Sequence, residues 1–218
     1  MHGDSRPIHS AQTAPHPRLQ AVLERHRDSI WQAPVHAPTR KAFDRLRREL
    51  AAEPRSIVLD SGCGTGQSTM SLATHHPDDW VVGVDQSAAR LSRLAPTGYA
   101  RQGNAFFVRA ELASFWRLFV DAGFSAQRHF LLYPNPWPKA AQLGRRWHGH
   151  PVFPTLMRSA ATFELRSNWR VYAEEFAHAL QFAGHAEASV AAFEAHEPLS
   201  PFERKYRDSG HALWRVTT

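Results

Sequence analysis

Asp60 closes the apolar run Ile57-Val58-Leu59 and is followed by three glycines at alternating positions, Gly62, Gly64 and Gly66. A turn of that composition can take positive φ and lets a ligand approach backbone N–H groups with no Cβ in the way. Asp85 closes the next apolar run, WVVGV, where a carboxylate can accept hydrogen bonds from hydroxyl groups. A second cluster lies at 131–151, LLYPNPWPKAAQLGRRWHGHP. Its prolines fix φ and restrict the residues before them, so Asn135 is held in one orientation at a strand tip. Trp137 offers a ring to stack on a ligand or to pack beneath the loop. Lys139, Arg145 and Arg146 offer charge to an anionic partner or form a solvated basic loop. His148 and His150, two residues apart with no carboxylate neighbour, make a weak metal site, and no metal is expected.

Both clusters sit at the ends of strands in an alternating pattern. Strands are predicted over 55–60, 80–85, 105–110, 128–133 and 162–167, and two more over 188–193 and 211–216. Helices are predicted over 68–76, 87–94, 112–122, 151–160 and 169–184. The alternation argues for an α/β fold: a doubly wound, mostly parallel sheet of seven strands with helices on both faces. The last two strands lack a long crossover helix between them, so an antiparallel edge pair is expected. In such sheets ligands bind beyond the carboxyl ends of the strands, where Asp60, Asp85 and Asn135 fall. Residues 1–50 read as a flexible basic N-terminal arm, 1–18, followed by a helix from Pro38 with a basic outer face. Residues 51–218 read as one domain.

The chain has 218 residues and a net charge of +6. The charge is uneven: residues 113–170 hold eight basic and two acidic side chains, whereas 171–218 hold four and seven. Of the 26 basic residues only Lys41, Lys139 and Lys205 are lysine. An arginine-rich genome accounts for the total, but the local clustering favours an anionic partner such as nucleic acid. The single cysteine, Cys63, excludes an internal disulfide framework and a cysteine-rich zinc site, and it reads as a small residue filling the tight turn. No apolar segment of about 18 residues is present, and a cytoplasmic location is expected.

The acidic residue followed by G-x-G-x-G resembles the first motif of the class I S-adenosylmethionine-dependent methyltransferases. The G-x-G-x-x-G of dinucleotide sites is not matched, which disfavours a nicotinamide dehydrogenase. The resemblance implies S-adenosyl-L-methionine as cofactor. Asp60, Gly62, Gly64, Thr65 and Gly66 would hold its methionine part, Asp85 with Gln86 the ribose, and Glu111 with Asn104 the adenine. Glu111 reads equally as a helix N-terminal carboxylate.

A narrower resemblance, to the bacterial tRNA (guanine-N7)-methyltransferase family, spans roughly residues 55–210. That family's P-D-P-W-x-K is Pro134-Asn135-Pro136-Trp137-Pro138-Lys139 here, followed by Arg145-Arg146. Its T-D-x-x-x-Y is Ser167-Asn168-Trp169-Arg170-Val171-Tyr172, and its C-terminal motif is SPFERKYRDSG, with Ser200, Glu203 and Gly210. The resemblance implies methyl transfer to a guanine N7 in tRNA. Asn135 and Asn168 would orient the base, and Trp137, Lys139, Arg145, Arg146, Tyr172, Ser200 and Glu203 would bind the RNA. The chain departs from the pattern: both motif aspartates are asparagine, Ser200 and Phe202 replace Thr and Tyr, and Ala160-Ala161 replaces Gly-Gly. An amine N-methyltransferase and a non-catalytic RNA-binding paralogue therefore remain alternatives.

Overall fold

The computed structural model describes residues 5–218. Its strands are β1 (Ile57–Ser61), β2 (Trp80–Asp85), β3 (Tyr99–Gln102), β4 (Ala105–Arg109), β5 (Ala126–Leu132), β6 (Ala160–Ser167), β7 (Ser189–Ala192) and β8 (Trp214–Thr217). They form a sheet in the order β3-β4-β2-β1-β5-β6-β8-β7. Among the described residues there are thus eight strands where seven were expected. The addition is β3, which pairs antiparallel with β4. Its four residues, YARQ, carry no apolar run and mostly face solvent, so no strand signal marks them. The glycines at its two ends, Gly98 and Gly103, both take positive φ and turn the chain.

The helices are α1 (Leu19–His26), α2 (Ala37–Ala52), α3 (Gln67–His75), α4 (Ala88–Leu91), α5 (Leu112–Asp121), α6 (Phe153–Arg158), α7 (Arg170–Phe182) and α8 (Pro201–Asp208). The helix expected over 87–94 is shorter, a single turn. α1 is an element that periodicity in a short segment did not reveal.

The chain divides into two compact units. One comprises Gln32–Leu131 and Arg158–Thr162; the other the chain up to Trp31, Leu132–Met157 and Phe163–Thr218. In the first, β1, β2 and β4 run parallel, with β5 parallel to β1. Their side chains are almost wholly buried, as a sheet covered on both faces requires. α5 packs Phe115 edge-on against Phe43 of α2, with centroids 5.7 Å apart. Phe115, Trp116 and Phe119 are fully buried, and each stabilises the unit by roughly 1.5–3 kcal/mol. His129 of β5 lies between the hydroxyls of Ser61 and Ser159, at 2.7 and 2.8 Å. Burial pushes its pKa down to about 3, so the imidazole is neutral.

In the second unit β8 pairs antiparallel with both β6 and β7, the expected antiparallel C-terminal arrangement. α7 buries Tyr172, Phe176 and Leu180. The first four residues of the expected arm lie outside the described residues. The remainder, up to Arg18, forms no helix or strand, and its polar groups bond to the rest of the unit. Ser10 donates to the carbonyl of Pro138 at 2.6 Å, and Gln12 and the His16 N–H donate to Glu175 at 2.7 and 2.8 Å.

Candidate active site

The glycine turn is built onto the carboxyl ends of β1 and β2. The N–H groups of Gly62 and Cys63 donate to the carbonyl of Val84, and the Gly64 N–H donates to Asp85 Oδ2 at 3.0 Å. Asp85 Oδ1 accepts from the Ser87 N–H at 2.7 Å. Asp85 thus fastens the turn to the next strand. Gly66 has φ +81°, and a Cβ there would lie 2.5 Å from Leu94 and 2.7 Å from the Phe107 ring, so no other residue fits. A Cβ at Gly62 or Gly64 would meet nothing within 4 Å, which leaves open space beside the turn.

Asp60 is fully buried. Its Oδ2 accepts from Ser68 and Thr69 of α3, at 2.6 and 2.7 Å. Gly83 of β2 is what admits Thr69, since a Cβ there would lie 2.2 Å from Thr69 Oγ1. Asp60 Oδ1 has no hydrogen-bond partner among the described residues. Burial raises its pKa to about 6 against the lowering effect of the two hydroxyls, with a smaller upward push from Asp85. A buried carboxylate with one unused oxygen is a receptor for a cation or an N–H donor. Cys63 beside it is buried, and burial together with Asp60 and Asp85 raises its pKa well above the usual thiol value. It stays a thiol and fills space, as its position in a tight turn suggested.

Thr65 and Gln86 are exposed on the same edge, and Glu111 follows β4 there. Glu111 is the N-cap of α5, its two carboxylate oxygens accepting from the N–H groups of Ala113 and Ser114 at 2.9 and 2.7 Å. Asn104 is a correction. It precedes β4, at the opposite, amino end of the strand, and its amide donates to the carbonyls of Ala73, His76 and Asp79. It ties a turn together and lies away from the carboxyl edge that carries Asp60 and Asp85.

β5 is followed by the proline-bounded loop, which belongs to the other unit. Tyr133 and Trp137 take φ of 53° and 46°, the only positive values at non-glycine residues among those described. A bulky residue there costs on the order of 1–2 kcal/mol, so the loop is held by its surroundings. The Tyr133 hydroxyl donates to Glu203 at 2.9 Å. The Trp137 carbonyl accepts from Arg146 Nε and Nη2, at 3.2 and 3.1 Å. Between these two anchored residues Asn135 is exposed, with Oδ1 turned toward the Trp137 N–H at 3.5 Å.

Arg146 is a second correction, because it is 0 % exposed. It ion-pairs with Glu175 of α7 at 2.5 Å and bonds Gln12 Oε1 at 2.9 Å. His148 Nε2 shares the same Glu175 oxygen at 2.8 Å. Burial alone would raise the Glu175 pKa, but His148 and Arg146 outweigh it and hold the carboxyl below its usual range. Burial lowers the pKa of His148, which the neighbouring Arg146 charge reinforces and Glu175 opposes. The arginine cation and the neutral imidazole thus share one oxygen of the Glu175 carboxylate. Arg146 therefore clamps the loop and cannot reach an RNA phosphate.

Lys139 and Arg145 are exposed, and the Arg145 guanidinium lies 4.8 Å over the Trp137 ring. Tyr172 and Glu203 are corrections of the same kind as Arg146. Tyr172 is buried with its hydroxyl 3.3 Å from the Trp147 N–H. Glu203 is 0 % exposed and accepts from Tyr133, from Arg166 and from the Leu199 N–H. Ser200 caps α8 by accepting from the Glu203 N–H at 3.1 Å. All three make their described contacts within the unit. Asn168 follows β6, half-buried, and contacts His211 at 3.1 Å.

A doubly wound sheet with a glycine turn and acidic residues at its carboxyl edge defines a Rossmann-like α/β protein of the methyltransferase kind. Residues 54–216 match the family described as "Putative methyltransferase", and the chain belongs to that family. Among curated relatives, the tRNA (guanine-N(7)-)-methyltransferase of Leifsonia xyli is 28% identical over 74% of this chain and 74% of its own length. The enzymes of that name from Burkholderia vietnamiensis and Burkholderia cenocepacia are 26% and 25% identical. They match over 82% and 72% of this chain. The chain spans 71% of the former's length and 64% of the latter's, less than two thirds. The solved 16S rRNA methyltransferase KamB shares the fold, with a TM-score of 0.58 and 17% identity over 80% of this chain and 92% of its own.

Proposed function

We propose that the protein transfers a methyl group from S-adenosylmethionine to N7 of a guanine in tRNA. The observation that carries this is the proline-bounded loop, where two strained, anchored residues present Asn135 to solvent. Curated relatives named for that reaction, and the motif order of the chain, support it.

The residues of the glycine turn fit the cofactor. The unpaired Oδ1 of buried Asp60 suits the α-ammonium of the methionine part, and the open space beside Gly62 and Gly64 suits its chain. Asp85, already bonded to two N–H groups, keeps lone pairs for ribose hydroxyls. When bound, the cofactor supplies an electrophilic methyl on a sulfonium. Guanine N7 carries a lone pair, so no proton has to be removed before transfer. The chain's task is to position the base and exclude water. The carboxamide of Asn135 can donate to guanine O6 or accept from N1–H or the exocyclic amine. Lys139 and Arg145 supply phosphate contacts.

Purified protein incubated with labelled S-adenosylmethionine and unmodified tRNA transcripts tests this, followed by borohydride–aniline cleavage at N7-methylguanosine. Label and cleavage at one guanine are expected. Label without cleavage would place the methyl group on another atom, as in the amine methyltransferase alternative. Cofactor binding with no label would make it an RNA-binding paralogue.

Two further results are expected. Because an ammonium binds the ionised form of Asp60, affinity for S-adenosylmethionine should fall about tenfold per pH unit below about 6 and level off above it. Titration calorimetry across that range would show it, and Asp60→Asn should flatten the profile. Replacing Lys139 and Arg145 together by Ala should reduce the slope of log affinity for tRNA against log salt by about one to two. An unchanged slope would remove them from the RNA interface.

A further inference from the structure

His211, the residue after the last C-terminal motif, is held from four sides. Its N–H bonds the carbonyl of Tyr206 at 3.0 Å, across the helix end that Gly210 makes with φ +73°. Its ring stacks on Tyr206, with centroids 5.2 Å apart and planes 19° from parallel. Nε2 lies 2.9 Å from the carbonyl oxygen of Ser5, and Nδ1 lies 3.1 Å from Asn168 Nδ2. Ser5 is itself fixed by its N–H bond to Ser209 Oγ at 3.2 Å.

These contacts settle each proton. A carbonyl oxygen only accepts, so Nε2 must carry the hydrogen. In the neutral imidazole Nδ1 is then an acceptor, and only the NH2 end of the Asn168 carboxamide can meet it. The chain Asn168 N–H to His211 Nδ1, His211 Nε2–H to Ser5 O, therefore fixes which end of the carboxamide is left outward.

We propose that His211 is a positioning residue that makes Asn168 present its carbonyl oxygen, as a hydrogen-bond acceptor, to the N1–H and exocyclic amine edge of the target guanine. The proposal rests on the reading of the protein as a guanine methyltransferase. It explains how an asparagine serves where the related motif has an aspartate: with its NH2 end engaged by His211, Asn168 offers the same kind of atom that a carboxylate would. The N-terminal segment takes part through the Ser5 carbonyl, which sets the tautomer. Adenine, whose N1 is an acceptor, meets an acceptor and is disfavoured.

Two measurements on the full chain decide it. A long-range nitrogen–proton correlation NMR spectrum of the imidazoles is expected to show His211 with Nε2 protonated and Nδ1 bare. Asn168→Asp should place a proton on Nδ1, because a carboxylate only accepts. A protonated Nδ1 in the native protein, or no change in the Asn168→Asp variant, would overturn the proposal. In kinetics, His211→Phe keeps the stack on Tyr206 but should lower kcat for tRNA about tenfold or more, with the KM for S-adenosylmethionine unchanged. His211→Asn, whose Oδ1 takes the place of Nδ1, should restore most of the loss. Native kcat in the Phe variant, or no rescue by Asn, would also overturn it. If the native protein methylates no guanine, the functional reading fails, and the spectrum alone decides whether His211 orients Asn168.

Discussion

Glu175→Gln is expected to destabilise the protein by about 3–5 kcal/mol, because it leaves the fully buried Arg146 guanidinium without a counter-charge. Urea unfolding would show this as a lower midpoint with an unchanged slope. The same carboxylate accepts from Gln12 and the His16 N–H and partners His148, so one substitution loosens three segments of its unit. The acid limb should change too. A carboxyl held below its unfolded pKa contributes stability that is complete above about pH 4.5 and is lost as pH falls toward about 2. The Gln variant should lack that limb. A native-like midpoint in Glu175→Gln would show that the ion pair does not hold the unit together.

Asn135→Ala is expected to lower methyl transfer to tRNA by about a hundredfold, the scale set by losing the orientation of a reacting base. The affinity for S-adenosylmethionine, which the proposed function assigns to Asp60, Asp85 and the glycine turn, should stay as in the native protein. Asn135→Asp should keep turnover, since a carboxylate can accept from the same guanine edge and offsets the positive charge that N7 methylation leaves. Single-turnover kinetics with saturating cofactor would separate the two effects. Native turnover in Asn135→Ala would remove the residue from the site.

The glycine turn and its acidic residues were legible in the sequence because their chemistry is local. Asp60, Gly66 and Asp85 are read from strand ends and spacing, and their partners lie in the same turn, in the helix that follows it or on the adjacent strand. Ser68 and Thr69, the partners of Asp60, lay within reach of the same reasoning, in the first turn of the helix that follows. β3 was illegible because an edge strand with mostly exposed side chains carries no apolar alternation. Arg146 was misread for a different reason. A pair of arginines after a proline loop looks solvated, and the carboxylate that draws one of them inward is 29 residues away. Tyr172 and Glu203 were misread because a motif records that a residue type is needed without saying whether it faces a ligand or a neighbour. Asn104 was placed by analogy at a strand's carboxyl edge, although it stands at the start of that strand.

The adjacency of Arg145 and Arg146 has a consequence for how the chain tolerates change. The two side chains are consecutive and chemically identical, yet one stacks over Trp137 in solvent and the other is a core cation. At 145 any long cation preserves an exposed positive charge beside Trp137, so Lys is an acceptable exchange. At 146 the fork reaches Glu175, Gln12 and the Trp137 carbonyl at once, which a single ammonium on a flexible stem cannot do. Neighbouring positions with one letter thus carry separate constraints, one an exposed charge over an aromatic ring and one the shape of the loop that holds Asn135.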